Sequence, residues 1–373
     1  MTDDLRWAWL VLWLTVGFFI QMPVLASEFD VEVGGYAVVG SERYGSFYNE
    51  DGETSNSEIV IRKAKLGLEF TYGKDWTLQI DGDFQDDGKE QTREIDDLWL
   101  EYDGFDLVDI KIGQMKEPFG FERLGSYSAL MTNERSVATS AFAPGRSQGL
   151  MIGRSKKSYT WAIGGFREDN EDTAPRAVTG RMTYAPLRAD DQTVHLGLAG
   201  SWRDLRGERF QIKDEGEVYT ADNVIRSPRF DADNLTLIGG ELAWGIGSVT
   251  MTAEAMAQRV KQTNDDIWNF TGGYVQAGWL ITGEHRSYDK GEFNRIEPGR
   301  AAGAVELVAR WSGVDVRERN VGAKASVAVL GLNYYWRETA LVRLNYLSPD
   351  IQGNALMANP SGDAITVRAQ LRF

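Results

Sequence analysis

The sequence predicts an all-β fold class, a transmembrane antiparallel up-and-down β-barrel of about 16 strands. Three observations predict it. Segments of about ten residues, the length of a tilted strand that crosses a bilayer, alternate between apolar and polar side chains. The links between these segments alternate between short and long. The chain ends on an aromatic residue, Phe373, that completes a regular strand.

The first element of the chain has the pattern of an export signal. Residues 10–20, "LVLWLTVGFFI", form an apolar core, and Val24 and Ala26 occupy the −3 and −1 positions of a cleavage site. A membrane anchor is the alternative, but the apolar segment is short for a span. We therefore predict a signal peptide over 1–26 and a barrel domain over 27–373, in the outer membrane of a Gram-negative bacterium.

The strands follow from a period of two. In "DWTLQIDGDF", Trp76, Leu78 and Ile80 lie on one face, while Thr77 and Gln79 lie on the other. Such alternation is typical of a strand whose two faces meet different environments. The predicted strands are, in chain order, 29–39, 57–72, 75–85, 93–102, 105–113, 148–154, 158–167, 176–185, 192–203, 235–244, 247–260, 270–283, 302–312, 323–336, 339–347 and 364–373.

The last strand indicates which environment that is. In "SGDAITVRAQLRF", Ile365, Val367 and Leu371 alternate with Arg368 and Arg372. A membrane barrel holds the apolar face in lipid and the arginines in a wet lumen. A terminal strand of a soluble protein usually frays into polar residues instead. A soluble β-sandwich or β-solenoid remains the alternative, although its core could hardly absorb so many amphipathic strands.

The links favour the barrel as well. Short turns on the periplasmic side and longer loops on the outer side are typical of an up-and-down barrel. The predicted short turns are Gly73-Lys74, Asp103-Gly104, Ser155-Lys157, Pro186-Asp191, Gly245-Ile246 and Arg337-Glu338, and the predicted longer links include 40–56, 114–147 and 204–234. Aromatic residues near strand ends fit the girdles at the two membrane interfaces: Tyr72, Trp76, Tyr102, Trp202, Trp244, Trp311 and Trp336.

Composition excludes several classes of protein. The chain of 373 residues carries a net charge of −15, which argues against nucleic acid as a partner. It has no cysteine and only two histidines, so a thiolate or His-rich metal site is excluded. We expect neither a metal nor another cofactor. His195 has no partner motif, and we interpret it as structural; we therefore predict that the protein is not an enzyme.

Three stretches resemble the phosphate-selective porin O and P family. They are "IKIGQMKEPFGFERLGSYSALMTNERSVATSAFAPGRSQGLMIGR" from Ile110, "GGYVQAGWLITGEHRSYDKGEFNRIEP" from Gly272 and "GLNYYWRETALVRLNYL" from Gly331. The resemblance implies a sixteen-stranded outer-membrane porin, usually trimeric, with its third long loop folded into the lumen as a constriction. It also accommodates the long link from His285 to Arg300, which strand parity puts on the side of the short turns.

The constriction loop would be residues 114–147. Its length indicates a function, and it carries apolar side chains that could pack inside the barrel, namely Phe119, Phe121, Leu124, Leu130, Met131 and Phe142. The segment "SYSALMTNERS" could form a helical turn or two. The candidate constriction residues are Lys116, Arg123, Arg135 and Arg146. Arginine meets two phosphate oxygens at once, and lysine acts as a point charge.

Further basic residues have lumen-facing parity on the strands: Lys63, Lys65, Lys111, Arg181, Arg203, Arg310, Arg343, Arg368 and Arg372. One interpretation is a basic ladder that guides anions. The other is that these residues pair with acids and brace the wall, because the same faces carry Glu69, Asp81, Asp83, Asp97, Glu101, Asp109, Glu254 and Glu306. In the loop, Glu117, Glu122 and Glu134 could likewise cancel the positive field.

The sequence thus predicts a passive diffusion channel for small anions such as phosphate or polyphosphate. A general or weakly cation-selective porin of the same fold, or a non-conducting structural or adhesive barrel, remains an alternative. The expected partners are outer-membrane lipid, small inorganic anions, two further copies of the chain in a homotrimer, and the barrel assembly machinery, which would read Phe373.

Overall fold

A computed structural model describes residues 29–49, 53–56, 59–86, 91–168, 174–189, 191–353 and 362–373. The predicted signal peptide lies outside them. Within this part of the chain, sixteen long antiparallel strands form one closed barrel. They are β1 Phe29–Tyr44, β2 Val60–Tyr72, β3 Trp76–Asp86, β4 Gln91–Tyr102, β5 Asp109–Lys116, β6 Arg146–Ser155, β7 Tyr159–Arg167, β8 Arg176–Arg188, β9 Gln192–Phe210, β10 Phe230–Ile246, β11 Val249–Gln262, β12 Ile267–Leu280, β13 Ala304–Asp315, β14 Lys324–Trp336, β15 Ala340–Gln352 and β16 Ala364–Arg372.

The last strand closes the barrel against the first. The register runs from Tyr36 opposite Arg372 to Tyr44 opposite Ala364. Beyond β16, the backbone N–H of Phe373 donates to the carbonyl of Gly35 at 3.1 Å, and the backbone N–H of Gly35 donates to the carbonyl of Phe373 at 3.2 Å. The predicted terminal strand is therefore confirmed to its last residue.

Along each strand the two faces differ as the alternation predicts. On β16, Val367 and Leu371 face outward and are exposed, whereas Thr366 and Arg368 face inward and are buried. The large apolar side chains of the outward face lie where lipid would cover them. Among the girdle residues, Trp76, Trp202, Trp244, Trp311 and Trp336 are all substantially exposed on that outer surface.

Short and long links alternate around the barrel. The links 73–75, 156–158, 189–191, 247–248 and 337–339 are short, while 45–59, 117–145 and 211–229 are long. The alternation has exceptions: the link 263–266 is short although it belongs to the side of the long loops, and the link 103–108 is longer than the predicted turn Asp103-Gly104 because β5 begins only at Asp109. The link 281–303 between β12 and β13 is long although it belongs to the side of the short turns. We call it the periplasmic link. No helix in the described ranges is long and apolar enough to span a membrane.

The interior is filled from three directions. The link 117–145, the constriction loop, folds inward and carries helix α1 (Phe121–Leu124), a 3-10 turn (Tyr127–Ala129) and helix α2 (Val137–Phe142). A 3-10 turn at Ser46–Tyr48 and the paired short strands Lys213–Asp214 and Ile225–Arg226 cover it from the outer side. The short strands Tyr288–Asp289 and Glu292–Phe293 of the periplasmic link approach from the other side; Ser55–Asn56 extends the barrel beside β1.

The constriction loop rests on an apolar cluster against one half of the wall. Phe119, Val137 and Phe142 are buried with Phe270 of β12 and Val314 of β13. Of the six predicted anchors, Phe119, Leu130, Met131 and Phe142 are buried, while Phe121 and Leu124 are half-buried. In "SYSALMTNERS" only one 3-10 turn forms, and the longer helix follows it. Because the loop occupies the side of β11–β13, the open passage lies on the side of β2–β6.

Candidate functional site

The narrow part of the passage is a polar cavity of about 620 Å³ between the constriction loop and the wall formed by β2–β6. We call it the throat. Its charged lining consists of Arg62, Lys63, Lys65, Glu94, Asp96, Asp97, Lys116, Arg123, Arg135, Arg146, Glu168 and Glu292. All four candidate constriction residues are thus brought together. The lining has seven basic and five acidic members, so it has a basic excess that the whole chain lacks.

Three of the basic residues are held by backbone carbonyls alone. Lys116 Nζ donates to the carbonyl of Leu124 at 2.7 Å and to that of Gly125 at 3.2 Å. Arg135 donates through Nη2 to the same Gly125 oxygen at 3.1 Å, and Arg123 Nε donates to the carbonyl of Pro144 at 3.0 Å. Among the described residues none of the three forms an ion pair, so no carboxylate neutralises them by direct contact.

Local structure explains this arrangement. Gly120, with a φ of 78°, turns the chain into α1, and the short helix ends at Gly125. The last carbonyls of a helix have no partner within the helix and attract cations. Lys116 at the end of β5 and Arg135 beyond the 3-10 turn both reach these carbonyls. The helix end therefore fixes two cations without neutralising them.

The pKa of Arg123 reflects its burial and its cationic neighbours. Burial, and then the neighbouring charges of Arg135 and Arg146, lower the pKa of Arg123 to about 9. It remains protonated at neutral pH. A cation that is disfavoured by its cationic neighbours is stabilised when an anion enters between them.

Arg146 differs from the other three candidates. It forms a two-pronged ion pair with Asp97, at 3.1 Å from Nε and 2.8 Å from Nη2, and Asp96 lies 3.4 Å away. Its charge is thus largely neutralised within the wall. In β4, Asp97 lies opposite Asp81 and Ile95 lies opposite Gly82, so Asp96 is the extra residue of a β-bulge. The bulge lets both Asp96 and Asp97 face the lumen.

The acids of the constriction loop are engaged elsewhere. Glu134 accepts from Arg62 at 2.7 and 2.8 Å, Glu117 from Arg203 at 2.9 Å, and Glu122 from Arg310 at 3.1 Å. These pairs bind the loop to strands on different sides of the barrel. The loop therefore turns its carboxylates toward the wall and presents its cations to the throat.

The strand candidates all have the predicted inward parity, but most are paired. Their carboxylate partners are Asp83 and Asp96 for Lys63, Asp81 and Asp97 for Lys65, Glu101 for Lys111, Glu241 for Arg181, Glu117 and Glu168 for Arg203, Glu122 and Glu217 for Arg310, and Glu42 and Glu134 for Arg368. Arg343 is buried and donates to the carbonyl of Ser128. Arg372 is exposed at the periplasmic mouth.

The sequence did not indicate which groups of the barrel wall hold the constriction loop on the side away from the throat. Glu254 of β11 accepts from the backbone N–H groups of Phe121 and Glu122 at 2.7 and 2.9 Å, and from the hydroxyl of Tyr274 at 2.8 Å. The parity of Glu254 was correct, but no local signal indicates a partner more than a hundred residues away. His195 is buried, with Tyr288 Oη 2.7 Å from its Nδ1.

The periplasmic link is also part of the interior. Arg286 is buried and donates to both carboxylate oxygens of Glu306 at 2.8 Å and to the hydroxyl of Tyr335 at 3.0 Å. Phe293 packs near Phe121 of the constriction loop, with ring centroids 6.0 Å apart. A turn signal, Lys290-Gly291, is visible in the sequence, but nothing there places the hairpin in the lumen.

Comparison with known proteins agrees with the barrel fold. The family model of the phosphate-selective porin O and P family matches residues 41–373. Porin O of Pseudomonas aeruginosa is 23% identical in an alignment that covers 95% of this chain and 91% of that protein. An uncharacterised protein of Caulobacter vibrioides is 28% identical over 62% of this chain and 51% of its own length.

Solved structures of outer-membrane proteins share the fold. The anion-selective porin from Comamonas acidovorans has a TM-score of 0.58 at 12% identity, covering 93% of this chain and 100% of that one. The trimer form of OmpT from Vibrio cholerae has a TM-score of 0.59 at 12% identity, with the same two coverages. At this level of identity the likeness concerns the barrel and its closure.

Proposed function

Because the chain belongs to the phosphate-selective porin O and P family, we propose that it is a passive outer-membrane channel for small anions such as phosphate. We propose further that Lys116, Arg123 and Arg135 hold the anion in the throat. The observation that carries this proposal is that these three cations have carbonyl oxygens, and no carboxylate, as partners.

The chemistry of permeation explains why such cations are needed. An anion that enters a narrow throat loses part of its water shell and requires donors in exchange. A hydrogen bond to a charged group contributes roughly 1.5–3 kcal/mol, and arginine can offer two parallel bonds. A cation already paired with a carboxylate has part of its charge neutralised and fewer free donors, so it attracts a permeating anion less strongly. The loop cations are therefore more available to a permeating anion than most strand cations are.

Binding must also remain weak enough for release. Lys116 and Arg135 donate to the same carbonyl, while Arg123 donates to another segment of the loop, so the three cations line the cavity at two points. Several spaced donors allow an anion to exchange one for the next. This favours a diffusion channel over a tight receptor.

Two partners belong to the same proposal. A trimer form exists for OmpT of Vibrio cholerae, an outer membrane protein that shares the fold, and we propose a homotrimer here. The outward, exposed Phe373 at the end of β16 would be the residue that the barrel assembly machinery reads.

The test is a planar-bilayer measurement on the purified protein. The reversal potential in a salt gradient gives the ratio of anion to cation permeability, and added phosphate gives a half-blocking concentration. The variant is the triple substitution Lys116→Gln, Arg123→Gln and Arg135→Gln. The matched control is Lys111→Gln, on the same strand as Lys116, because Lys111 is paired with Glu101 outside the throat.

The expected result is an anion-selective wild type whose selectivity and phosphate block are lost in the triple variant and retained in the control. A binding free energy that changes by about 1.4 kcal/mol changes the dissociation constant about tenfold. Losing one charge-assisted contact should therefore raise the half-blocking concentration at least tenfold. A wild type that prefers cations would contradict the proposal and favour a general or weakly cation-selective pore, with Asp96 and Asp97 as the dominant charges. The absence of conductance steps would indicate an adhesive barrel.

A further inference from the structure

A small β-hairpin of the periplasmic link stands inside the barrel. Tyr288 pairs with Phe293 and Asp289 with Glu292. The two residues between them, Lys290 and Gly291, have φ values of 47° and 86°. Two successive residues of positive φ are typical of the tight turn that best matches the twist of paired strands. We call residues 288–293 the lumen hairpin.

The lumen hairpin is attached to the wall at several points. The hydroxyl of Tyr288 lies 2.7 Å from Nδ1 of the buried His195, and Arg188 donates to the Tyr288 carbonyl at 2.8 Å. Arg181 donates to the carbonyl of Gly291 at 3.3 Å. Phe293 is buried beside Ala243 and Ala185. Contacts with β8, β9 and β10 therefore fix the position of the hairpin and of every side chain that it carries.

This position puts Glu292 in the throat. Glu292 lines the same cavity as Lys116, Arg123 and Arg135, although its own chain segment starts at the opposite mouth of the barrel. Lys116 is the cation that acts on it most strongly, yet within the described ranges no cation lies within 4 Å of its carboxylate. A carboxylate held near unpaired cations, but short of an ion pair, attracts them without neutralising them by contact.

We propose that Glu292 is a specificity-determining residue, a tethered carboxylate that competes with permeating anions for the loop cations of the throat. This inference rests on the proposed function. An anion bound between Lys116 and Arg135 feels the negative charge of Glu292 on its periplasmic side. This repulsion weakens the binding of the anion. When the anion leaves, the carboxylate of Glu292 is still present as a counter-charge for the cations. The lumen hairpin thereby keeps anion binding in the throat weak enough for release.

The charge-removing, nearly isosteric variant Glu292→Gln tests this inference. We expect the phosphate half-blocking concentration to fall about three- to tenfold, the size expected for a charge at throat distance in a partly hydrated site. The reversal potential should move further toward the anion value. Phosphate block should also become longer-lived in single-channel records, because release is slowed.

Two controls separate this effect from a general change of charge. Asp289→Asn removes one charge from the same hairpin, but Asp289 is exposed, pairs with Arg188 and lies outside the throat. Glu94→Gln removes a charge from the throat wall on β4. Asp289→Asn should leave block unchanged, and Glu94→Gln should change it less than Glu292→Gln does.

The possible outcomes are distinct. If Glu292→Gln blocks like the wild type, or if either control shifts block by the same factor, the tethered-carboxylate inference is wrong while the proposed function stands. If the wild type shows no anion selectivity, the proposed function itself fails. Should Glu292→Gln fail to assemble, Glu292→Ala removes the same charge, and block unchanged from the wild type in that variant would overturn the inference.

Discussion

Arg343 of β15 and Arg368 of β16 lie directly opposite each other in register, and only Arg368 has carboxylate partners. Both are 1% exposed. Arg368 pairs with Glu42 and lies 3.5 Å from Glu134. Arg343 donates to the carbonyl of Ser128 at 3.2 Å, while its Nε and Nη1 have no partner in the described structure. The two neighbouring buried cations thus differ in whether a carboxylate compensates their charge.

We therefore expect Arg368→Gln to destabilise the barrel far more than Arg343→Gln. Removing one partner of a buried pair leaves the other charge uncompensated and costs about 3–5 kcal/mol. Removing Arg343 relieves a buried charge with unsatisfied donors, so its loss should be neutral or stabilising. The difference is measured by heating each variant before gel electrophoresis and recording the temperature at which the folded, faster-migrating barrel is lost. Equal losses in the two variants would contradict this account.

Substitutions of Arg135 and Arg146 should have different effects on phosphate block and on thermal stability. Arg135→Gln removes from the throat a cation that forms no ion pair in the described structure, so phosphate block should weaken about tenfold without loss of thermal stability. Arg146→Gln breaks the pair with Asp97 and should lower thermal stability while changing block less. Both variants lose one positive charge, so each serves as the control for the other. Identical effects on block would mean that Arg146 binds the anion despite its pair.

Glu254 is expected to keep the constriction loop in place. It accepts two backbone N–H bonds at the start of α1 and one from Tyr274. In Glu254→Gln the amide NH₂ group replaces an acceptor, so a buried donor is left unsatisfied at about 1–3 kcal/mol. We expect a larger and noisier single-channel conductance. Glu69→Gln, on the inward face of β2 and away from the loop, is the control. Unchanged conductance in Glu254→Gln would show that the apolar cluster alone holds the loop.

The fold could be predicted from the sequence because its signals are local. Strand alternation and link length are visible within windows of ten to thirty residues, and each of the sixteen predicted segments overlaps one strand of the barrel. The strand ends were less certain: β9 runs on to Phe210, where the prediction ended at 203. In the extension, "DLRGERF", apolar and polar residues no longer alternate, so the sequence pattern does not mark the strand.

The site could be predicted only in part. Parity placed each basic residue on the lumen side, but it could not say which of them meets a carboxylate. The pair of Glu117 and Arg203 joins residues 86 positions apart, and that of Glu122 and Arg310 joins residues 188 apart. Such pairs depend on how the loop is folded inside the closed barrel. The basic throat of this acidic chain therefore became visible only in three dimensions.

The end of the chain supplies another prediction. Phe373 exchanges two backbone hydrogen bonds with Gly35, and a Cβ on Gly35 would lie 2.7 Å from the Phe373 ring. Deleting Phe373 removes both bonds and uncovers the seam between β16 and β1, so the amount of assembled barrel should fall strongly. Arg372→Gln, at the exposed neighbouring residue, should assemble normally. Normal assembly after the deletion would show that closure does not depend on this residue.

Chloride selectivity should depend on pH through Glu292. Burial raises the pKa of Glu292, although Lys116 and then Arg181 act to lower it; Glu241 and Arg135 also face it from β10 and the constriction loop. As the pH falls through this raised pKa, the carboxylate takes up a proton and the throat loses one negative charge. The ratio of chloride to potassium permeability should therefore rise as the pH falls through the raised pKa of Glu292, and chloride itself does not titrate there. Glu292→Gln should start at the higher ratio and vary less with pH. If the wild type and Glu292→Gln give the same profile, the titrating group is a different one, and Glu292 does not set the charge of the throat.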